Sequence, residues 1–74
     1  MMDKHYKKFI QIGLNIMRYR KEQGITQEQL AEMTGHSRNQ IQRVESAYTR
    51  PSVSLLYDVS EALNVPLEKL LEIR

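Results

Sequence analysis

Residues 26–46 read TQEQLAEMTGHSRNQIQRVES, and the punctuation in that run decides the fold. Thr26 with Gln29, and Ser37 with Gln40, each form the pattern of a capping box. In it the hydroxyl accepts the N–H three residues on, while the Gln side chain returns to the cap residue's own N–H. Each pattern therefore predicts the start of a short helix. Between them stands Gly35, where the first helix must end through a left-handed residue, a conformation that costs glycine nothing sterically. Ala31 is small, as two helices crossing at roughly 90–120° require at their point of approach. Leu30, Ala31 and Met33 give the first helix its apolar side, and Leu30, Ile41 and Val44 point from both helices into one core. The run predicts two short helices joined by a tight turn, the second ending near Ser46.

Outward from that pair, apolar residues keep recurring at three- and four-residue steps, with none of the alternation that marks a strand. Phe9, Ile12, Ile16 and Tyr19 form one stripe of a preceding helix that opens after Asp3 and closes at Gly24. Gly13 lies inside it at a cost of about 1 kcal/mol, which points to a close helix contact there. After a loop from Ala47 to Pro51, Ser52 caps a fourth helix with Leu55, Leu56, Val59, Ala62 and Leu63 inward, stopped by Asn64. Pro66 starts a last short helix bearing Leu67, Leu70, Leu71 and Ile73. The expectation is one compact all-α domain of five helices spanning residues 1–74. Its buried set should include Ile16, Leu30, Ala31, Ile41, Val44, Leu56, Val59 and Leu63.

Composition removes most other classes. The chain has 74 residues and no cysteine, so disulfides, thiolate chemistry and cysteine-ligated zinc are excluded. His5 and His36 offer no metal-ligand spacing, and no cofactor is expected. No apolar run approaches the roughly 18 residues of a membrane span, and the first residues do not form a signal peptide, so a soluble cytoplasmic protein is expected. With Asp3 and Asp58 as the only aspartates, no glycine-rich phosphate loop and no nucleophile spaced to a base, the chain does not read as an enzyme. Net charge is only +2, but residues 1–50 carry nine Lys and Arg against five acids, and residues 51–74 two against four. That split suits a front half facing an anionic polymer.

The helix opened by Ser37 carries the functional signal. At about 100° per residue, Ile41 and Val44 define its buried side, and Arg38, Asn39, Gln42, Arg43 and Ser46 share the opposite arc of about 140°. That arc holds no acid. Arg can bond guanine bidentately, and Asn or Gln can bond adenine bidentately. Glu45 stands near the end of the same helix, close to its buried side, where an anion opposes the helix dipole and requires a cation. Gln27 opens the preceding helix, whose N-terminal N–H groups and positive potential suit a phosphate.

These features together resemble the phage repressor/Cro-type helix-turn-helix family, the xenobiotic-response-element-like transcriptional regulators. The resemblance runs from about Ile12 to Leu71. It rests on Ile12-Gly13, on Arg20, Gly24, Thr26-Gln27-Glu28 and Leu30-Ala31, on Gly35 and Ser37, on Ile41 and Glu45, on Pro51-Ser52, and on Ala62-Leu63 with Val65. Two departures stand out: Ala47 where the family usually has glycine, and Met17 where a basic residue is common. The resemblance implies a five-helix lambda-repressor-like domain whose helix-turn-helix occupies about 26–46, binding an inverted-repeat double-stranded DNA operator as a homodimer. It implies Arg38, Asn39 and Arg43 as base readers, with Gln40 and Gln42 in support, and Gln27, Ser37, Thr49 and Arg50 on the DNA backbone. Arg20 would pair with Glu45 as a structural anchor. The dense Leu67, Leu70, Leu71 and Ile73 cluster suggests a dimer face. The other reading is a protein-interaction module, such as an antitoxin-like partner with the same fold. A partner-binding helix would show apolar anchors on its exposed side, whereas this one shows Arg, Asn and Gln.

Overall fold

A computed structural model describes residues 3–74 as five helices, with no strand among the described residues. These are α1 (Tyr6–Glu22), α2 (Gln27–Thr34), α3 (Arg38–Glu45), α4 (Val53–Leu63) and α5 (Leu67–Leu70). Both capping boxes close: Thr26 Oγ1 accepts the Gln29 N–H at 3.0 Å, and Ser37 Oγ accepts the Gln40 N–H at 3.1 Å, each Gln returning to its cap residue at 2.8 Å. Gly35 is left-handed at φ +74°, and Asn64, which ends α4, at φ +54°. The first helix starts later than the sequence suggests. Asp3 forms a turn ahead of it, its carboxylate accepting the His5 N–H and its carbonyl the Tyr6 N–H, so the helix begins at Tyr6.

Every member of the expected buried set is buried, joined by Ile12, Leu55, Val65 and Leu70. Met33 is a correction: it is 50% exposed, so the apolar side of α2 is narrower than its three hydrophobic residues imply. The last helix divides its cluster. Leu70 is fully buried and Leu67 packs on the core, while Leu71 and Ile73 face solvent.

The long helix α1 lies against α3, α4 and α5. Two residues that are not hydrophobic set its position. At Gly13 a Cβ would fall 2.6 Å from the carbonyl oxygens of both Val44 and Glu45, so only glycine lets α1 lie against the end of α3. Asn15, fully buried, donates through Nδ2 to the carbonyls of Leu70 and Glu72 at 2.9 and 2.8 Å, and its Oδ1 accepts from Gln11. That side chain clasps the C-terminal segment to α1. The chain leaves α3 through Ala47 at φ +60°, a left-handed conformation that costs a residue with a Cβ roughly 1–2 kcal/mol.

Two substitutions test this packing by chemical denaturation. Gly13→Ala should cost about 1–3 kcal/mol, because rigid backbone blocks the added methyl; an unchanged midpoint would mean that α1 and α3 are not this close. Ala47→Gly should stabilise by up to about 1 kcal/mol, the relieved strain being partly offset by glycine's greater chain entropy.

Candidate nucleic-acid interface

Geometry at the helix pair begins with a buried ion pair. Arg20 Nε lies 2.6 Å from Glu45 Oε2, and Arg20 Nη2 lies 2.9 Å from Glu45 Oε1. Both side chains are almost fully buried, 9% and 1% exposed, where an unpaired charge would be prohibitive. The remaining groups are used as well. Arg20 Nη1 donates to the Ile25 carbonyl at 2.8 Å, and Gln27 Nε2 donates to Glu45 Oε1 at 3.0 Å. One network thus joins the end of α1, the turn before α2, the first residue of α2 and the last of α3. No buried side-chain nitrogen or oxygen among the described residues lacks a partner.

A second polar contact steadies the turn between the two helices. His36 Nε2 lies 2.9 Å from Asp58 Oδ2, which ties the residue before the α3 cap to α4. With its last residue held by Arg20 and its leading end held by His36 and the Ser37 box, α3 is fixed at both ends. Its outer face is Arg38, Asn39, Gln42, Arg43 and Ser46, all exposed and none acidic.

The structure brings together most of the residues singled out from the sequence, and it commits several of them locally. Gln40 is exposed at the edge of the outer face, but its Oε1 is taken by the Ser37 N–H, which leaves its NH2 free. Gln27 is half-buried with its amide turned toward Glu45, so what α2 presents outward there is the backbone of its first turn. Thr49 and Arg50 are exposed in the loop after α3, beside the outer face. Arg50 is 69% exposed at its side chain and holds Asp3 Oδ2 through Nη1 at 2.8 Å. The His5 N–H bond first, and the Arg50 guanidinium after it, hold the Asp3 carboxyl below its ordinary range. The Asp3 carboxylate therefore keeps its charge to a lower pH than an ordinary aspartate.

Four interactions had no readable signal in the sequence: Asn15 to the C-terminal carbonyls, Gln27 to Glu45, His36 to Asp58, and Arg50 to Asp3. A fifth joins α3 to the loop that follows it. The Arg43 guanidinium carbon stands 5.7 Å from the centre of the Tyr48 ring. No helix among the described residues is long and apolar enough to cross a membrane.

Comparison with known proteins gives a consistent set of matches. Residues 16–70 match the helix-turn-helix family. An uncharacterised HTH-type transcriptional regulator, y4dJ, of Sinorhizobium fredii is 35% identical over 54 residues, covering 73% of this chain and 70% of that one. The HTH-type transcriptional regulator SinR of Bacillus subtilis is 37% identical over 62 residues, 82% of this chain. The match spans only 56% of SinR, so the chain corresponds to about half the length of that relative. Among solved structures, the restriction-modification controller protein C.AhdI from Aeromonas hydrophila superimposes with a TM-score of 0.87 at 25% identity, over 92% of this chain and 99% of that one.

The network makes a measurable demand. Glu45→Ala should cost about 3 kcal/mol by stranding the Arg20 charge in the interior. A double-mutant cycle with Arg20→Met should return a coupling of about 1–3 kcal/mol. Additive losses would show that the two charges do not depend on each other.

Proposed function

The chain belongs to the helix-turn-helix family of transcriptional regulators, which are not enzymes, and on that premise we propose that it binds double-stranded DNA sequence-specifically in the cytoplasm. In this reading α3 enters the major groove and a homodimer spans an inverted repeat. The observation that carries it is the outer face of α3: exposed, free of acids, and composed of Arg38, Asn39, Gln42 and Arg43 on a helix held rigidly at both ends. A rigid helix presenting bidentate donors can distinguish base edges. Arg38, Asn39 and Arg43 are the base readers, with Gln42 and the free NH2 of Gln40 in support. The first turn of α2 at Gln27, the α3 cap at Ser37, and Thr49 and Arg50 supply backbone contacts, which set register and carry no sequence information. Arg50 must exchange the Asp3 carboxylate for a phosphate when it does so.

Dimerisation is supported by Leu71 and Ile73, 39% and 52% exposed beside the Leu67 and Leu70 pair that faces inward. A module of this size alone also buries too little DNA for tight selective binding. An isologous contact through Leu71 and Ile73 would cover them and place the two α3 helices in successive grooves. Half-site centres would then lie about 10–10.5 base pairs apart.

Selection of bound sequences from a random duplex pool at physiological salt tests the reading. The enriched site should be an inverted repeat. Asn39→Ala or Arg43→Ala should each cost about 1–3 kcal/mol per half-site and relax preference at one base position. Arg50→Ala should instead weaken binding to all sequences and flatten the salt dependence, by roughly 0.9 in log–log slope for each phosphate that is no longer neutralised. If Asn39→Ala and Arg43→Ala leave the selected sequence unchanged, α3 is not the reader. Sedimentation should show a dimer that Ile73→Asp dissociates; a wild-type monomer at high micromolar concentration, free and on DNA, would remove the two-fold arrangement.

A further inference from the structure

Resting on the reading of α3 as the base-reading element, we propose that Tyr48 is a specificity-determining residue: its ring positions the Arg43 guanidinium for base contact. Tyr48 is 77% exposed, so it has no packing role in the core to account for it. What it does touch is Arg43, whose guanidinium carbon lies over the ring at 5.7 Å, inside the range of about 6 Å for a cation–π contact.

The backbone is built to make that meeting. The chain turns back immediately after α3 through Ala47, at φ +60°. The Ala47 N–H donates to the Val44 carbonyl at 3.1 Å, and the Tyr48 and Thr49 N–H groups both donate to the Arg43 carbonyl, at 2.8 and 3.3 Å. Residue 48 is thus tied by its own main chain to the residue whose side chain it carries. The left-handed turn, unfavourable for alanine, is what folds the aromatic ring back over the last turn of the helix instead of letting it run on with the loop.

The chemistry favours a positioning role over a competing one. A guanidinium on a long flexible stem loses conformational freedom when it binds a base edge, and that loss subtracts from affinity and discrimination. An aromatic face restrains the stem beforehand while engaging the cation's charge and none of its N–H donors. The donors that would reach guanine O6 and N7 therefore stay available. Arg50, further along the same loop, has a carboxylate as its partner and must release it before reaching DNA; Arg43 need release nothing.

The experiment is base-by-base selection together with binding to a fixed non-specific duplex, run on Tyr48→Ala, Tyr48→Leu, Tyr48→Phe, Arg43→Ala and the Tyr48→Ala/Arg43→Ala double variant. Tyr48→Ala and Tyr48→Leu should keep the wild-type melting temperature and non-specific affinity. Both should lose about two- to fivefold in preference per half-site, at the base position that Arg43→Ala also relaxes. Tyr48→Phe should retain that preference, and the double variant should discriminate no worse than Arg43→Ala alone. Intact preference in Tyr48→Ala overturns the proposal, and so does a Tyr48→Phe variant as impaired as Tyr48→Ala, since the hydroxyl and not the ring would then be responsible. Equal weakening on all duplexes in Tyr48→Ala also overturns it, because that is the behaviour of a backbone contact. If Arg43→Ala itself changes no base preference, Arg43 is not a base reader and the proposal falls with that assignment, while α3 remains the reader as long as Asn39→Ala still relaxes a position. If Arg43→Ala does relax a position while Tyr48→Ala does not, only the role of Tyr48 falls.

Discussion

The outer face of α3 depends on a charge that the interior of this small molecule would otherwise reject. Glu45 is placed at the carbonyl end of α3, where the helix dipole disfavours an anion, and it is almost completely removed from water. Arg20 answers it through two N–H groups, and Gln27 supplies a third donor. The fork of the guanidinium matches the carboxylate in plane and spacing, so the contact fixes direction as well as distance. Gly13, one residue type away from a clash, brings α1 close enough for the bond to form. Replacing such a pair by well-packed apolar groups can leave stability unchanged or raise it. Its contribution here is better seen as orientation: together with the buried Ile41 and Val44, it holds α3 with one side turned outward.

Much of this was legible in the chain because it is local. Capping boxes, the left-handed Gly35 and Asn64, and the three- and four-residue apolar steps each act within a turn or two of helix, and each appears in the structure where its residues predict. Glu45 was legible through conflict, since an anion at a helix C-terminus on the buried side needs a partner. The exposed arc of α3 followed from angular arithmetic alone. What resisted reading is long-range and polar. Asn15 meets carbonyls 55 and 57 residues away, and Asp3 meets a side chain 47 residues away. Nothing in the sequence near Asn15 distinguishes it from a solvated asparagine on a helix. Met33 failed for a related reason: periodicity shows that a residue is apolar, but only the packing of α4 against α2 shows that the core ends before reaching it.

The outer face and the loop behind it have different mechanical characters. Side chains on α3 are borne by a helix secured at its first cap, through His36, and at its last residue, through Arg20. Thr49 and Arg50 are borne by a loop that main-chain bonds tie to α3 as far as Thr49. Beyond it the Arg50 side chain is held by one exposed ion pair, which contributes little to rigidity. Base reading needs the first kind of support, because a bidentate contact tolerates little displacement. Phosphate contact is satisfied by the second, since a charge on a mobile stem can follow the backbone of whatever duplex is present. Tyr48 sits where the two regimes meet.

The buried network also sets how portable the helix pair is. A designer who lifts residues 26–46 onto another scaffold carries over both capping boxes and the whole outer face, and with them a carboxylate whose counter-charge stayed behind on α1. The transplanted segment would meet its host as a helix with an unanswered anion at its base. It would tilt to bring Glu45 back to water, turning the outer face away from its intended direction. A faithful graft has four further requirements that lie outside the segment: an arginine at the spatial position of residue 20, a carbonyl to take its third donor as Ile25 does, a carboxylate to meet His36 as Asp58 does, and a host helix with no side chain where Gly13 passes. The smallest transferable unit of this fold is therefore α1 through α4, and a helix-turn-helix is modular only down to the reach of the polar contacts that hold it.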